Sequence, residues 1–248
     1  MTESTPPHPV LEEYYATAAD RESFVGALFD GAARYYNRIG QLLDLGSGPW
    51  YRRQALRRAG LRPGMRVLDV ATGTGLVARG ALGVLGEPHC VVGVDPSRGM
   101  LREARKALAG PLVQGRAEAL PFRDGLFDML SMGFALRHVP DLEVAFDEYR
   151  RVLKPGGRLL LLEVSRPPSR ASRWLIRTHL QHILPFMMRV STRSEPAGLL
   201  MKYYWDTIDR CVPPEVIVEA LQRNGFVGVE RRALLGFLSE YVATRPAR

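Results

Sequence analysis

The stretch Val67-Leu68-Asp69-Val70-Ala71-Thr72-Gly73-Thr74-Gly75-Leu76 constrains the chain more than any other. A short apolar run leads into a glycine-rich turn, and the turn leads into a helical pattern. An apolar run of this kind, little broken by polar residues, belongs to a parallel sheet covered on both faces. The chain downstream repeats the same alternation.

Pro63-Gly64 marks the turn before the first strand, predicted over Arg66–Val70. A helix follows at Leu76–Leu85, a second strand at Cys90–Val94 and a helix at Ser97–Leu108, with Ser97 as its cap. Short strands are expected at Leu112–Gln114 and Phe127–Met132. Leu142–Leu153 is helical, with Leu142, Phe146, Tyr149 and Leu153 on one face. Lys154-Pro155-Gly156-Gly157 turns the chain into a fifth strand, Arg158–Val164. The alternation closes with a helix at Pro214–Arg223, bounded by Pro214 and Gly225. Two strands, Val227–Leu234 and Phe237–Ala243, are joined tightly at Gly236. A terminal hairpin on an α/β alternation predicts a mixed sheet with one antiparallel strand.

Two segments stand outside this alternation. Residues 1–20 read as a disordered arm, and 21–60 as a helical preface with Phe24, Leu28 and Phe29 at helical spacing, broken at Gly46-Ser47-Gly48-Pro49. Residues 166–205 form an apolar and basic insertion. It mixes Trp174, Leu175, Ile183, Phe186, Met187 and Met188 with Arg166, Arg170, Arg173, Arg177 and Arg189. Its position predicts a lid, and its composition admits a membrane-surface element. The expected organisation is a preface at 1–60 covering the site, then a core domain at 61–248 carrying the insertion.

Composition narrows the function. The net charge of +8 admits nucleic acid, an anionic membrane surface, an acidic substrate or simply an arginine-rich surface. The basic residues are scattered and lack interleaved aromatic platforms, so no nucleic-acid partner is expected. Two cysteines, Cys90 and Cys211, make no disulfide framework, and no Cys/His/Asp cluster has metal-ligand spacing. Met1–Val10 does not read as a signal peptide, and no apolar run approaches the ~20 residues of a membrane span. The expected location is cytoplasmic, with contact at the inner face of the membrane allowed.

Gly73-Thr74-Gly75-Leu76-Val77-Ala78 fits the dinucleotide fingerprint G-x-G-x-x-G/A, and Asp95 stands 22 residues after Gly73, where a ribose-binding acid belongs. An NAD(P)-dependent oxidoreductase is therefore one reading. Asp69 argues for another. A carboxylate just before the glycines sits badly beside a pyrophosphate and suits a ligand bearing an ammonium and a sulfonium. The helical preface and terminal hairpin also fit a methyltransferase better.

Four motifs in order resemble class I S-adenosylmethionine (SAM) methyltransferases: Val67–Gly75, Val92-Gly93-Val94-Asp95-Pro96-Ser97 with Met100-Leu101, Ala117-Glu118-Ala119-Leu120-Pro121-Phe122 before Phe127-Asp128, and Arg151–Gly157. Leu136-Arg137-His138-Val139 with Asp141, Leu160–Pro167, Ala33-Arg34-Tyr35 and His182-Ile183-Leu184-Pro185 narrow the resemblance to the ubiquinone/menaquinone C-methyltransferase family, over roughly Phe29 to the C-terminus. The chain departs from that family's pattern at His138, at Arg116 and at Tyr36, where the family commonly carries Asn, Asn or Asp, and Asp.

The resemblance implies a Rossmann-like α/β fold, a seven-stranded, mostly parallel sheet with a C-terminal antiparallel hairpin. It implies SAM as cofactor and S-adenosylhomocysteine as product. Asp69 and the backbone of Ala71, Thr72, Gly73 and Gly75 would hold the methionine end, with Tyr35 reaching its carboxylate from the preface. Asp95 would hold the ribose, Pro96 and Met100 would flank the adenine, and Ala117 and Glu118 would meet its edge. Arg137 and His138 are the catalytic candidates. Arg137 would stabilise a developing oxyanion, and His138 would act as a base near neutral pH. Met132, Phe134 and His182 are the candidate substrate contacts. The expected acceptor is a small, lipid-tailed quinol or phenol methylated on carbon. Methylation of another small molecule is the alternative, and a homodimer is allowed.

Overall fold

The computed structural model describes residues 4–44, 46–186 and 195–247. In chain order these form α1 (Ala18–Asp44), α2 (Gly48–Arg58), β1 (Val67–Val70), α3 (Leu76–Leu85), β2 (Val91–Asp95), α4 (Arg98–Arg105), β3 (Leu112–Gln114), β4 (Phe127–Gly133), α5 (Leu142–Val152), β5 (Leu153–Val164), α6 (Arg170–Thr178), α7 (Glu195–Asp209), α8 (Pro214–Arg223), β6 (Val227–Leu234) and β7 (Leu238–Thr244). The strands make one seven-stranded sheet in the order β3-β2-β1-β4-β5-β7-β6. β1 to β5 run parallel, and β7 pairs antiparallel with both β5 and β6. The expected mixed sheet is present.

Strand alternation explains the two layers. Leu68, Val70, Val92, Val94, Leu159 and Leu161 face a core shared with Phe146 and Tyr149 of α5 and Leu221 of α8. Val67, Val91, Leu160 and Leu162 face the opposite core, with Leu56 of α2 and Ala78 of α3. β1 is therefore buried along its whole length, which is why its sequence carries no polar alternation. The one charge in it, Asp69, points to the α2–α3 side.

β5 differs from the expected turn-then-strand. Pairing begins at Leu153 opposite Phe127, breaks, and resumes at Arg158 opposite Met129. Lys154-Pro155-Gly156-Gly157 is a bulge within the strand, not a turn before it.

A third cluster lies outside the sheet layers. Leu28, Ala32 and Ile39 of α1 pack against Leu200, Met201, Tyr203, Tyr204 and Ile208 of α7. The N-terminal arm joins this cluster, contrary to the disorder read from its composition. Leu11 and Tyr15 are buried. Thr5 and Pro7 offer carbonyls to the amides of Leu142 and Val212 at 3.0 and 2.8 Å, and the Tyr14 hydroxyl donates to Asp206 at 2.5 Å. The arm is a strap whose few apolar residues find a dedicated groove. Met187, Met188 and Arg189 of the insertion lie outside the described residues. Among the described residues, no helix is long and apolar enough to cross a membrane.

Candidate active site

The C-terminal ends of β1, β2 and β4 open into two joined cavities, where open α/β sheets receive ligands. The smaller, about 310 Å³, runs past Asp95, Pro96, Met100, Ala117 and Glu118. The larger, about 480 Å³, runs past Asp69, Thr72, Val77 and Leu76 and on between the insertion and the β6–β7 turn. Tyr36, Ala71, Gly73, Gly133 and Phe134 line both. These five residues mark the junction.

The turn between β1 and α3 is built around its carboxylates. The Asp69 Oδ2 accepts from the Thr72 hydroxyl at 2.6 Å and the Ala78 amide at 3.2 Å, and its Oδ1 accepts from the Ser131 hydroxyl at 2.7 Å. Asp69 thus caps the turn as well as facing the larger cavity. Asp95 accepts from the Gly73 amide at 2.7 Å and the Ser97 amide at 2.9 Å. Burial pushes both carboxyls up to about 6, and in Asp95 the neighbouring charges of Asp69 and Asp30 add to it. Two buried carboxylates facing the joined cavities form a site that a cationic ligand would stabilise.

Backbone strain collects here too. Gly73 has φ +57° with nothing within 4 Å of where a Cβ would stand, so its face lies open to a ligand. Gly75 has φ +83° and a Cβ there would meet Leu108 at 2.5 Å; it shapes the turn and lines neither cavity. Among the described residues, the non-glycine residues with positive φ are Ala71 (51°), Phe134 (60°) and Leu235 (52°). All three line the cavities. Such conformations persist only where the surroundings enforce them, and they cluster at functional sites.

The preface supplies more than cover. Asp30 of α1 accepts from the Ser97 hydroxyl at 2.5 Å and the Gly99 amide at 2.8 Å, at the start of α4. Asn37 accepts from the Thr74 hydroxyl at 2.6 Å. Residues seven apart share a helix face, so one face of α1 clamps both the glycine turn and the α4 cap. Ser97 caps α4 as its sequence predicts, accepting from the Met100 amide at 3.0 Å.

The structure brings together Asp69, Ala71, Thr72, Gly73, Asp95, Pro96, Met100, Ala117, Glu118, Met132, Phe134 and His138 at the cavity walls. Four other expected contacts are displaced. Tyr35 lines neither cavity and packs into the α1–α7 cluster; its neighbour Tyr36 faces the junction. His182 is exposed. It sits in a π-turn, His179–Ile183, whose extra residue per turn brings His179 and Leu180 to the larger cavity instead. Gly75 is displaced as described above.

Arg137 is the fourth. It is 0% exposed and lines neither cavity. Its Nη1 donates to Glu163, which is also buried, and to the Phe134 carbonyl at 2.9 Å; its Nε donates to the Thr207 hydroxyl at 3.2 Å. The guanidinium carbon lies 4.1 Å from the Tyr204 ring centroid. Its reach to the cavities runs through Phe134 and Tyr204. His138 lines the smaller cavity but is not poised near neutral pH. Burial, and then the charges of Arg137, Arg21 and His8, hold its imidazole neutral with a pKa well below 6.5. It stacks on Tyr203 with centroids 5.5 Å apart and meets Phe29 edge-on at 5.2 Å.

Sequence reasoning also missed Arg52. This α2 residue is 8% exposed, lines the larger cavity and lies 5.6 Å from the Phe134 ring centroid. Its charge acts on both Asp69 and Tyr36. The basic run of α2 gave no sign that one of its arginines turns inward. Among the described residues, no group of three His, Cys, Asp or Glu is placed to hold a metal ion.

A diphosphate at the start of α3 would face the Asp69 carboxylate, which already takes the Ala78 amide. The geometry thus disfavours a dinucleotide there. The profile of the ubiE/COQ5 methyltransferase family matches residues 16–239. The demethylmenaquinone methyltransferase of Symbiobacterium thermophilum is 31% identical over 236 residues, covering 91% of this chain and 94% of that protein. That of Mycolicibacterium paratuberculosis is 34% identical over 225 residues, covering 90% and 95%. A SAM-dependent methyltransferase of Thermotoga maritima, described as a possible histamine N-methyltransferase, shares the fold with a TM-score of 0.61 at 21% identity, covering 89% of this chain and 99% of that one.

Proposed function

The chain belongs to the ubiE/COQ5 methyltransferase family, a SAM-dependent methyltransferase family, and from that premise we propose that it methylates a ring carbon of a lipid-tailed hydroquinone. SAM supplies an activated methyl group, so the protein's task is mainly to position the acceptor for in-line attack. Asp95 accepts the ribose hydroxyls. Met100 and Pro96 flank the adenine, with Ala117 and Glu118 at its edge. Asp69 faces the cationic methionine end, and Arg52 pairs with its carboxylate. Gly73 lets the ligand approach the backbone.

The observation that carries the acceptor reading is the larger cavity. Beyond the junction it is walled by Ile39, Val164, Ile176, Leu180, Met201 and Ile208, a length of apolar surface that suits a hydrocarbon tail. A small polar acceptor would gain nothing from it. The rim of that cavity supports membrane contact. Leu235 and Ile176 line it while Trp174 and Leu175 on the same helix are 67% and 61% exposed, and Leu235 is 81% exposed. Apolar residues held out at a cavity mouth offer a path for a tail from a bilayer surface.

The test is product identification. Purified protein with SAM carrying a ¹³C methyl group is given reduced 1,4-naphthoquinones and 1,4-benzoquinones bearing short prenyl tails, alongside catechol and amine acceptors. A new ring-carbon methyl signal is expected with a prenylated quinol. Transfer only to oxygen or nitrogen would refute the reading.

A further inference from the structure

The mechanism above leaves the acceptor's ring oxygen without a partner. Arg137, the expected stabiliser, lines neither cavity, and His138, which lines the smaller one, is neutral and so brings no positive charge to that oxygen. The junction does hold polar groups that no role above uses. The Tyr36 and Tyr204 hydroxyls lie 3.1 Å apart. Tyr36 lines both cavities and Tyr204 the larger one. Asp69, Thr72 and Thr74 share that wall, but their side chains are taken up by bonds within the protein.

Resting on the quinol reading, we propose that Tyr36 and Tyr204 form a two-hydroxyl anchor for one ring oxygen of the acceptor. One phenol donates to the other, which leaves one O–H of the pair free to donate into the cavity. The anchored oxygen fixes the ring so that its neighbouring carbon faces the cofactor side of the junction. No proton passes to or from the phenols.

Three observations support the pair as donors. Burial and the neighbouring Tyr204 hold the Tyr36 phenol well above its usual range, so it stays protonated at any working pH. The Arg137 guanidinium lies against the Tyr204 ring, 4.1 Å from its centroid, and Arg137 is itself fixed by Glu163 and Thr207. A permanent cation behind a phenol strengthens its hydrogen bond to an oxygen that carries negative charge, as a ring oxygen does once its proton has passed to solvent and the quinolate can attack the methyl group through its neighbouring carbon, whose own proton then leaves to solvent. The pair is also held from two directions, Tyr36 by α1 and Tyr204 by α7, which makes their spacing rigid. Arg137 is then a positioning residue acting through Tyr204.

The experiment compares wild type with Tyr36→Phe, Tyr204→Phe and the double variant. Four quantities are measured: kinetics with a short-prenyl 1,4-naphthoquinol, equilibrium binding of that quinol and of the matching prenyl naphthalene lacking both ring oxygens to protein loaded with S-adenosylhomocysteine, the affinity for S-adenosylhomocysteine alone, and Tm. The expected result is a loss of roughly 10- to 100-fold in kcat/KM and in quinol affinity for each single variant. The double variant should lose little more, because the two hydroxyls act as one unit. Binding of the naphthalene without ring oxygens, affinity for S-adenosylhomocysteine and Tm should stay at the wild-type level. Wild-type-like quinol kinetics in both single variants would overturn the anchor while leaving the quinol reading intact. A wild-type protein that binds and methylates no quinol would overturn that reading and the anchor with it.

Discussion

Arg137→Ala is expected to act on stability first. The side chain is fully buried, and its partner Glu163 is 1% exposed. Removing the guanidinium leaves the Glu163 carboxylate inside with, among the described residues, only the residue-137 and Val164 amides donating to it, at 3.3 and 2.8 Å. Breaking a buried pair by removing one partner costs about 3–5 kcal/mol. In a chain of this size each kcal/mol moves Tm by roughly 2–4 °C, so the fall should be roughly 6–20 °C. The double variant Arg137→Met with Glu163→Gln supplies the discriminating measurement. It removes the stranded charge and keeps an acceptor for the shorter bond, from the Val164 amide; the residue-137 amide, which donates to the other oxygen, loses its acceptor, so the variant should recover to within about 1–3 kcal/mol of wild type. Urea melts followed by tryptophan fluorescence, with matched methyl-transfer assays, report both quantities. Activity in the double variant should remain depressed, because the cation behind Tyr204 is gone. An Arg137→Ala protein as stable as wild type, or a double variant no more stable than the single, would refute the pairing argument.

Other expectations follow from the same geometry. Asp69 and Asp95 each titrate at about 6 in the free protein, and a cationic ligand favours their ionised forms. SAM affinity should therefore plateau above about pH 7 and fall as pH drops through 6, by up to ~10-fold per unit for each carboxylate; a flat calorimetric profile from pH 5 to 8 would contradict this. Asp95→Ala should lower affinity for S-adenosylhomocysteine by about 100-fold or more, two charge-assisted hydrogen bonds being lost, and unchanged affinity would remove the assigned ribose site. Gly73→Ala and Gly75→Ala should separate binding from folding. The first places a methyl in the open cavity and should weaken ligand binding, with only about 1–2 kcal/mol of backbone strain. The second meets Leu108 as well and should lower thermal stability more, a contrast that paired melts and titrations would reveal.

The sheet was legible because its physics is local and periodic. Continuous apolar runs, the glycine turn and the Ser97 cap each specify their own backbone. The N-terminal strap was not legible. Leu11 and Tyr15 are two apolar residues in a polar, proline-rich arm, and their value comes from a groove made by α7 some 190 residues away. Tyr35 and Tyr36 show a finer limit. Helical phase alone cannot say which of two adjacent tyrosines faces a cavity when both faces of α1 are partly covered.

His182 and Arg137 show that a motif position is not a contact. The chain carried His182 at the expected place, but the π-turn rotates the helix face by about one position and hands the cavity to His179. Arg137 lies in a 3-10 turn directly after the strained Phe134, and its own Nη1 bonds that residue's carbonyl. It thus ties down the carbonyl of the residue whose φ of +60° places the Phe134 ring at the junction. A residue that holds a strained backbone next to the chemistry is as constrained by the reaction as one that touches the substrate. Sequence matching alone does not separate the two. The separation requires the burial of Arg137, its bond to Glu163 and the Tyr204–Tyr36 pair that stands between it and the cavity junction.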